Sequence, residues 1–252
     1  MIKILNSSSF SYSKNGIDEN QDSILPYKTL KQGYIIAVAD GVGGYEGGFD
    51  ASSLAISELE KTNYPFKRSD VDKFFHGLRE KLKDIARYDS KYSSAATTLT
   101  FCHIGHEGLI IGHCGDSRLY IKFGNKLKQI TKDQTQHQIL IDKGLYTSRQ
   151  LRKRMGGNVL TSAISAKLNL EFQVIELPIE ELPLHEGCLN IYIMSDGAHH
   201  YWEERPRFSE KTLENPAKFS ASLQKRIESK GPHDDFSLVS LKVSYQEKDN
   251  HR

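Results

Sequence analysis

The chain has 252 residues, enough for one large domain or two small ones with a sizeable core. Its 34 basic and 32 acidic residues leave a formal charge of +2, so it lacks the basic footprint of a protein that binds nucleic acid or an anionic membrane. No apolar run reaches the roughly 20 residues that cross a bilayer, and the three cysteines show no CxxC spacing. We therefore expect a cytoplasmic protein without a disulfide framework and with no nucleic-acid or membrane partner.

The first predicted strand is the apolar run at 34–39, which ends at Asp40 and a group of glycines. Two amphipathic helices are predicted next, over 50–59 and 70–87, because apolar residues recur there at helical spacing. Four more strands follow at close intervals, joined by short glycine-containing turns. This spacing predicts an antiparallel meander with strands at 98–104, 108–114, 117–123 and 126–130.

The second half of the chain begins with a predicted short helix at 136–145, which stops at Gly144. The basic and polar stretch that follows, 147–158, is interpreted as a mobile flap. In the last third we predict strands near 170–175 and 189–194, helices between 209 and 229, and a closing strand at 236–243. His103 and His113 alternate with apolar residues in the meander and are expected to face outward.

These elements are predicted to form one domain. No internal repeat or proline-rich linker divides the chain, so we expect a single α+β domain over 1–245 in which helices cover sheets. The flap is placed at about 133–165, and 246–252 is expected to be a polar tail. Nothing in the sequence indicates an oligomer, so a monomer is expected.

Short acidic motifs recur at the ends of the predicted strands. They are Asn20-Gln21-Asp22, Ala39-Asp40-Gly41-Val42-Gly43-Gly44, Gly115-Asp116-Ser117-Arg118, Ser195-Asp196-Gly197 and Asp234-Asp235. Aspartates at strand ends are a means of gathering hard oxygen ligands around divalent cations, and the glycines after Asp40 let a backbone carbonyl approach an ion. Asp40, Asp196 and Asp234 are the candidates to surround one ion, with Asp40 free to bridge to a second. A lone Asp-Gly after a strand is usually only a turn, so each motif alone leaves that alternative open.

Taken in order, these motifs resemble those of the metal-dependent protein phosphatases, the type 2C serine/threonine family. Ala96-Thr97-Thr98 and Asp234-Asp235-Phe236-Ser237 extend the resemblance, which spans about 10–243. Two further segments, 130–135 and 158–164, look like the flap region of the bacterial branch. The resemblance implies a four-layer α-β-β-α sandwich with two central antiparallel sheets.

The resemblance also implies a ligand set and a reaction. Asp40 would bridge two Mn²⁺ or Mg²⁺ ions, the Gly41 carbonyl would join one of them, and Asp196 and Asp234 would complete the other. Asp22 would act through metal-bound water, and Asp116 would hold a weaker third ion together with Asp196. A water between the two ions would hydrolyse phosphoserine or phosphothreonine in a protein substrate. A cognate serine/threonine kinase is an expected partner.

The sequence departs from the family pattern at three positions. An arginine that grips the substrate phosphate usually lies five residues before the position of Asp22, where this chain has Ile17. Lys14 is the nearest upstream cation and is the candidate substitute, as a point charge without a bidentate fork. Tyr45 stands where many bacterial members have histidine, and Gln21 where a glutamate often supports the second metal through water. Losses around a metal site cost about 10- to 100-fold in affinity, so weak catalysis is one expectation.

Two other classes of function were weighed against a phosphatase. A dinucleotide-binding loop is disfavoured because 41–46 fails the GxGxxG pattern at its last position and Asp40 would face a pyrophosphate. A catalytically weak or inactive phosphatase-like module that sequesters a phosphoprotein or a partner is favoured by Ile17. The retained carboxylates argue for an active enzyme, because clustered aspartates repel one another without a metal.

Three further side chains near the motifs are candidates for roles other than metal binding. His199 and His200 follow Ser195-Asp196-Gly197 and are candidate proton donors to a leaving group, although such a pair more often caps a strand–helix turn. Arg118 is expected to be a structural hydrogen-bond donor.

Overall fold

The computed structural model describes residues 2–16, 19–42, 47–151 and 159–246. Ile17, Tyr45, flap residues 152–158 and tail residues 247–252 lie outside these described residues. The strands are β1 (Ile2–Tyr12), β2 (Asp22–Thr29), β3 (Tyr34–Asp40), β4 (Ala96–Thr97), β5 (Leu99–Gly105), β6 (Gly108–Cys114), β7 (Arg118–Phe123), β8 (Lys126–Gln129), β9 (Ile164–Ser165), β10 (Gln173–Pro178), β11 (Cys188–Met194) and β12 (Phe236–Tyr245). The helices are α1 (Gly48–Lys61), α2 (Arg68–Tyr88), α3 (Gln136–Asp142), α4 (Ser148–Leu151), α5 (Asp196–Glu204), α6 (Glu210–Leu213) and α7 (Pro216–Lys230).

The long strands form two five-stranded antiparallel sheets. The first, sheet A, has the order β1-β12-β11-β7-β8. The second, sheet B, has the order β10-β6-β5-β3-β2. The two-residue strands β4 and β9 pair separately. The prediction of two central antiparallel sheets is therefore confirmed.

Three apolar clusters hold four layers together. In the first, α1 and α2 bury Ala55, Leu59, Phe75 and their neighbours against sheet B. In the second, the inner faces of the two sheets pack on each other. In the third, α5 and α7 bury Trp202 and Phe219 against the outer face of sheet A. Since each sheet has one face on helices and the other on its partner, the α-β-β-α sandwich is confirmed.

Strand β3 shows why a strand of these sheets appears in the sequence as a continuous apolar run. Ile35 and Ala37 belong to the cluster under the helices, whereas Ile36 and Val38 belong to the cluster between the sheets. Successive side chains of a strand point to opposite faces, so a strand covered on both sides must be apolar at every position. Such a run gives a strong strand signal but does not show which face is which.

The predicted meander is wrong in one respect. Strands β5 and β6 pair in sheet B, whereas β7 and β8 pair in sheet A, so the segment 115–117 crosses from one sheet to the other. Gly115 has a φ of +106°, a conformation that favours glycine, and this allows the sharp change of direction. Close sequence spacing predicted four paired strands, but it carries no signal for a change of sheet.

Both histidines of this region are buried, so their predicted outward orientation is also wrong. His113 is fully buried and hydrogen-bonds to Thr100 Oγ1 at 2.8 Å and to the Lys132 carbonyl at 3.1 Å. Burial lowers the pKa of His113 to about 4. His103 hydrogen-bonds to the Gln32 carbonyl at 3.0 Å. Each histidine has polar partners that make burial tolerable, which alternation alone does not reveal.

Other boundaries differ in smaller ways. Helix α5 begins at Asp196, where the sequence suggested only a turn, and β10 lies at 173–178 rather than near 170–175. Cys102 and Cys114 are buried, whereas Cys188 is partly exposed. Among the described residues, no helix combines the length and the apolar character needed to cross a bilayer.

Candidate active site

The inner faces of both sheets change from apolar to polar at one end of the sandwich. Two residues beyond the apolar Val38 on β3 comes Asp40, and two residues before the partly buried Ile24 on β2 comes Asp22. On the opposite sheet, Ser195 continues the period of β11 and Ser237 that of β12. Because side chains alternate with a period of two, these polar groups face the space between the sheets. The acidic motifs thus meet at the edge of the apolar core.

Asp22 and Asp40 are neighbours on sheet B. Asp22 is the first residue of β2 and Asp40 the last of β3, and the antiparallel register places them directly opposite each other. Residues in that relation have Cβ atoms about 4.5–5.5 Å apart on the same face of the sheet. The pairing of β2 with β3 is therefore what brings the first two predicted carboxylates together.

The backbone of Asp40 is fixed by two threonines. Its amide donates to Thr98 Oγ1 at 3.1 Å, and its carbonyl accepts from the Thr98 amide at 2.8 Å and from Thr97 Oγ1 at 3.0 Å. Three hydrogen bonds leave the main chain of Asp40 little freedom. The motif Ala96-Thr97-Thr98 acts here as the support of a site residue.

Sheet A contributes Asp196 and Asp234 through a close backbone contact. Asp196 follows β11 directly as the first residue of α5, and Asp234 lies just before β12. A Cβ at Gly197 would lie 2.0 Å from the Asp235 carbonyl oxygen and 3.3 Å from that of Asp234. Only glycine lets α5 begin against this segment, and the contact places Asp196 beside Asp234.

Asp116 lies in the segment that crosses between the sheets. The neighbouring Gly115 packs against Thr98, since a Cβ there would lie 2.5 Å from the threonine side chain. Gln134 accepts from the Gly115 amide at 2.7 Å, and His199 Nε2 hydrogen-bonds to the Asp116 carbonyl at 3.1 Å. Asp116 and the neighbouring Gly115 are therefore held from three sides, by Thr98 just before β5, by Gln134 before α3 and by His199 on α5.

The electrostatics show that the five carboxylates act on one another. Burial, followed by repulsion from Asp22, Asp196, Asp116 and Asp234, raises the pKa of Asp40 well above its usual range. Burial also raises the pKa of Asp22 to about 7, that of Asp196 to about 6 and that of Asp116 well above its usual range. The Asp40 and Asp196 side chains are close enough to share a hydrogen bond. Such a cluster is unfavourable unless protons or cations neutralise it.

The donor set fits a hard divalent cation. Carboxylate and carbonyl oxygens are the ligands that Mg²⁺ and Mn²⁺ prefer, and Asp22 Oδ1 is buried without a hydrogen-bond partner. A Cβ at Gly41 would lie 2.6 Å from the Gly48 backbone, so no side chain fits there. Among the described residues, no three histidine, cysteine or acidic side chains already stand as a metal site. Strand register and the close contact at Gly197 bring these carboxylates to one end of the sandwich.

A profile of the family described as Protein phosphatase 2C matches residues 13–240. The chain belongs to the protein phosphatase 2C family. Two curated relatives are bacterial, in agreement with the branch that the sequence resembles. Protein phosphatase PhpP of Streptococcus pneumoniae is 28% identical over 155 residues, 59% of this chain and 63% of that protein. Serine/threonine protein phosphatase PstP of Mycobacterium tuberculosis is 30% identical over 150 residues, 58% of this chain and 28% of that protein. The match thus covers less than two thirds of either relative.

Solved structures agree on the fold. A bacterial serine phosphatase superposes with a TM-score of 0.83 at 16% identity, covering 98% of this chain and 100% of that one. The PstP phosphatase of Mycobacterium tuberculosis superposes with a TM-score of 0.77 at 22% identity, covering 97% and 100%. At these identities the likeness shows that the chain has the phosphatase 2C fold.

Within this phosphatase 2C fold, the segment before β2 is held by Asp235, a residue to which the sequence assigned no role. Asp235 Oδ1 accepts from the Lys14 amide at 3.0 Å, and Asp235 Oδ2 accepts from the Gln21 amide at 2.8 Å. The Gln21 carbonyl in turn accepts from the Gly41 amide at 3.1 Å. The Asp234-Asp235 pair was visible in the sequence, but the distance of more than 210 residues to its partners left no local signal.

The remaining predicted residues of this phosphatase 2C chain divide into exposed and structural ones. Lys14 is exposed, and its side chain stays the candidate phosphate contact. Arg118 makes a bidentate ion pair with Asp133, with distances of 2.6–3.1 Å, which confirms its structural role. Burial lowers the pKa of His199 to about 3, so this ring is neutral at physiological pH and is no cationic acid. His200 is exposed and stacks edge-on against His233.

Proposed function

We propose that this chain is a metal-dependent protein phosphatase that hydrolyses phosphoserine and phosphothreonine esters. The observation that carries the proposal is the convergence of Asp22, Asp40, Asp116, Asp196 and Asp234 at one end of a phosphatase 2C sandwich. The names of the relatives PhpP and PstP, a protein phosphatase and a serine/threonine protein phosphatase, support the same class of reaction.

The ligands are assigned from the cluster and the family. Asp40 would be the carboxylate shared by two Mn²⁺ or Mg²⁺ ions, and the Gly41 carbonyl would join it on one of them. Asp196 and Asp234 would hold the other, Asp116 would hold a weaker third ion, and Asp22 would contribute through water. A solved structure of the PstP catalytic domain, 22% identical to this chain, contains two manganese ions, which supports the number.

When bound, the ions activate a water for attack on phosphorus and neutralise charge on the phosphoryl oxygens. The residues of the chain have supporting tasks. Asp22, whose Oδ1 is buried without a hydrogen-bond partner, would accept a hydrogen bond from a water on the cation. Asp235 accepts from the Lys14 and Gln21 amides and so holds the backbone at both positions, and Lys14 would attract the substrate phosphate as an exposed point charge.

The flap is proposed for about 133–165 within a single domain over 1–245. Its support is a pair of contacts that close the segment at its base. The Gln134 carbonyl accepts from the Thr161 amide at 2.8 Å, and Thr135 forms an isolated bridge with Leu160. Helices α3 and α4 therefore lie in a segment whose two ends are joined by these contacts.

The partners follow from the reaction. We propose a phosphorylated protein as substrate, a serine/threonine kinase as the enzyme that generates it, a cytoplasmic location, a signalling role and a monomeric state. Ile17 stands where the family usually has its phosphate-gripping arginine, so a catalytically weak or inactive module that sequesters a phosphoprotein or a partner is the second candidate.

Release of phosphate from synthetic phosphoserine and phosphothreonine peptides tests the proposal. The full chain, stripped with a chelator and then given Mn²⁺, is expected to release phosphate, and the metal-free protein is not. Asp40→Asn serves as the inactive comparison. Peptide binding without release at saturating Mn²⁺ would instead support the sequestering module, and neither binding nor release would refute both candidates.

A further inference from the structure

A closed circuit of hydrogen bonds joins the two sheets beside the acidic cluster. Ser195 Oγ donates to Asp22 Oδ2 at 2.8 Å and accepts from the Ser237 amide at 2.9 Å. Ser237 Oγ donates to Ser11 Oγ at 2.8 Å, and Asn20 Nδ2 donates to the same Ser11 oxygen at 2.7 Å. Asn20 Oδ1 then accepts from the Asp22 amide at 3.0 Å. The circuit returns to Asp22, which is held by both its main chain and its side chain.

The chemistry of the donors fixes the direction of the bond to Asp22. A backbone amide only donates, so the Ser237 amide must occupy a lone pair of Ser195. The single hydroxyl proton of Ser195 is then available to the Asp22 carboxylate, an acceptor while it is ionised. The Ser237 hydroxyl also lowers the pKa of Asp22, and it donates to Ser11 Oγ at 2.8 Å. Ser195 is thus the donor with direct hydrogen-bond geometry to Asp22 within the described residues.

Burial makes this bond consequential. Ser195 is fully buried and Asp22 is only 5% exposed, so solvent has little access to replace a lost donor. With Oδ2 engaged, Asp22 Oδ1 is the oxygen that has no hydrogen-bond partner. A buried carboxylate without donors is costly and has no fixed orientation, whereas one engaged oxygen leaves the other directed and free.

We propose that Ser195 is a positioning residue that orients the Asp22 carboxylate, so that Oδ1 serves the divalent-cation site. The Ser237 amide sets the direction of the Ser195 hydroxyl, and Ser11 and Asn20 complete the support. This inference rests on the proposed function, because it assumes that Asp22 contributes to cation binding. It assigns a task to the serine of Ser195-Asp196-Gly197 that is separate from ligation by its neighbour.

Calorimetric titration of the metal-free full chain with Mn²⁺ tests this inference without relying on turnover. Ser195→Ala is expected to weaken Mn²⁺ binding about tenfold, the lower end of the range for residues that orient metal ligands. Asp22→Asn is expected to weaken it at least as much, and the double variant no more than Asp22→Asn alone. Non-additivity of this kind separates positioning through Asp22 from a general structural effect.

Ser240→Ala is the matched control. Ser240 is another fully buried serine, on β12, and its hydroxyl donates to the Ser8 carbonyl at 2.8 Å, away from the acidic residues. Its replacement removes a comparable hydroxyl and is expected to leave Mn²⁺ affinity unchanged. If Ser195→Ala fails to fold by circular dichroism, Ser11→Ala breaks the circuit at a partly buried position and is expected to weaken binding about threefold.

The outcomes distinguish this inference from the proposed function. Equal Mn²⁺ affinities of Ser195→Ala, Ser240→Ala and the unmodified chain would overturn the positioning role and leave the function standing. Losses for Ser195→Ala and Asp22→Asn that multiply in the double variant would also overturn it, because Ser195 would then act independently of Asp22. An unmodified chain that neither binds Mn²⁺ nor releases phosphate would refute the function and the inference together.

Discussion

The space between the two sheets contains two contrasting regions built on the same strands. In its middle, residues such as Val38, Ile193 and Leu241 are fully excluded from solvent and belong to one apolar cluster. At one end, the same alternation continues with Asp40, Ser195 and other polar groups. The first region stabilises the fold by burial of apolar surface. The second places carboxylates where burial and mutual repulsion destabilise them, a cost that a bound cation would offset.

The contrast explains how the backbone of the site can be fixed while its carboxylates interact strongly with one another. Asp40 lies on the strand that also carries Ile36 and Val38, so the packing of the core also fixes the backbone of Asp40. Its side chain lies at the edge of that core, where a low local dielectric strengthens every charge interaction. A substitution at the polar end should therefore chiefly change metal binding and turnover, whereas a substitution in the apolar region should chiefly change the free energy of unfolding.

The largest effect is expected at the acidic end. Asp40→Asn removes the carboxylate that interacts with all four of the others, so phosphopeptide turnover should fall at least about 10²–10³-fold. The metal-free variant should nevertheless unfold at a higher urea concentration, because one repelling charge is gone. Asp84→Asn, at an exposed α2 position paired with Arg87, is the control and should change neither quantity appreciably. Wild-type turnover in Asp40→Asn would show that Asp40 is not in the reaction centre.

A change in the apolar region should affect stability alone. Leu241→Ala removes a fully buried side chain from the cluster between the sheets and should lower the free energy of unfolding by about 2–5 kcal/mol. At a temperature where the variant is still folded, its Mn²⁺ affinity should match that of the unmodified chain. Both are measurable, by urea denaturation and by calorimetry. A large loss of Mn²⁺ affinity in the folded variant would mean that the two regions are not separable.

The pH dependence of stability should have opposite signs with and without metal. Folding raises the pKa of Asp22 to about 7 and that of Asp196 to about 6, above the values near 4 of unfolded aspartates. His113 and His199, whose pKa values are lowered to about 4 and about 3, oppose the carboxylates below about pH 6.5, because the unfolded state protonates these histidines first. Above that pH the metal-free native state binds more protons than the unfolded state, and its stability is expected to fall as the carboxylates ionise from about pH 6.5 to 7. The slope should be about 1.4 kcal/mol per pH unit for each such group.

Added Mn²⁺ should reverse this trend, because a cation displaces those protons and binds more tightly as pH rises. Thermal denaturation from pH 5 to 7.5 with chelator, and again with saturating Mn²⁺, measures both slopes. The Asp40→Asn variant should show a flatter slope in chelator, since it lacks one of the repelling groups. A metal-free melting temperature that rises between about pH 6.5 and 7.5, above the titration of the histidines, would contradict the predicted carboxylate cluster.

The smallest effect is expected at Asp235, which holds the backbone near the proposed phosphate contact Lys14. Asp235→Ala removes the acceptor of two backbone amides, those of Lys14 and Gln21, and should raise KM for a phosphopeptide about tenfold. Mn²⁺ affinity should change less than KM, because Asp234 stays in place. Steady-state kinetics at saturating Mn²⁺ measures the first quantity. A loss confined to kcat, with KM unchanged, would argue against a role of this segment in substrate binding.

Much of the fold follows from local patterns in the sequence. The apolar run ending at Asp40, the periodic helix around Phe75 and the strand at 108–114 are all visible because their residues recur at the period of the element. The change of sheet at Gly115 and the burial of His113 are not, since they depend on partners far along the chain. Local sequence specifies elements, whereas sheet membership is a property of the assembled core.

The site divides in the same way. The aspartates could be named from short motifs, and the structure brings Asp22 opposite Asp40 through strand register. The supporting residues could not be found this way. Ser195 reaches Asp22 over 173 positions and Asp235 reaches Gln21 over 214, and neither separation leaves a spacing signal. Residues that orient other side chains can be identified only when the hydrogen bonds of the folded chain are known.

The most direct test of the central claim is anomalous diffraction from crystals of the full chain grown with Mn²⁺. The proposed site predicts manganese peaks at the polar end of the sandwich, within coordination distance, roughly 2 Å, of carboxylate oxygens of Asp40, Asp196 and Asp234. Saturating Mn²⁺ with no peak among these three residues would contradict it.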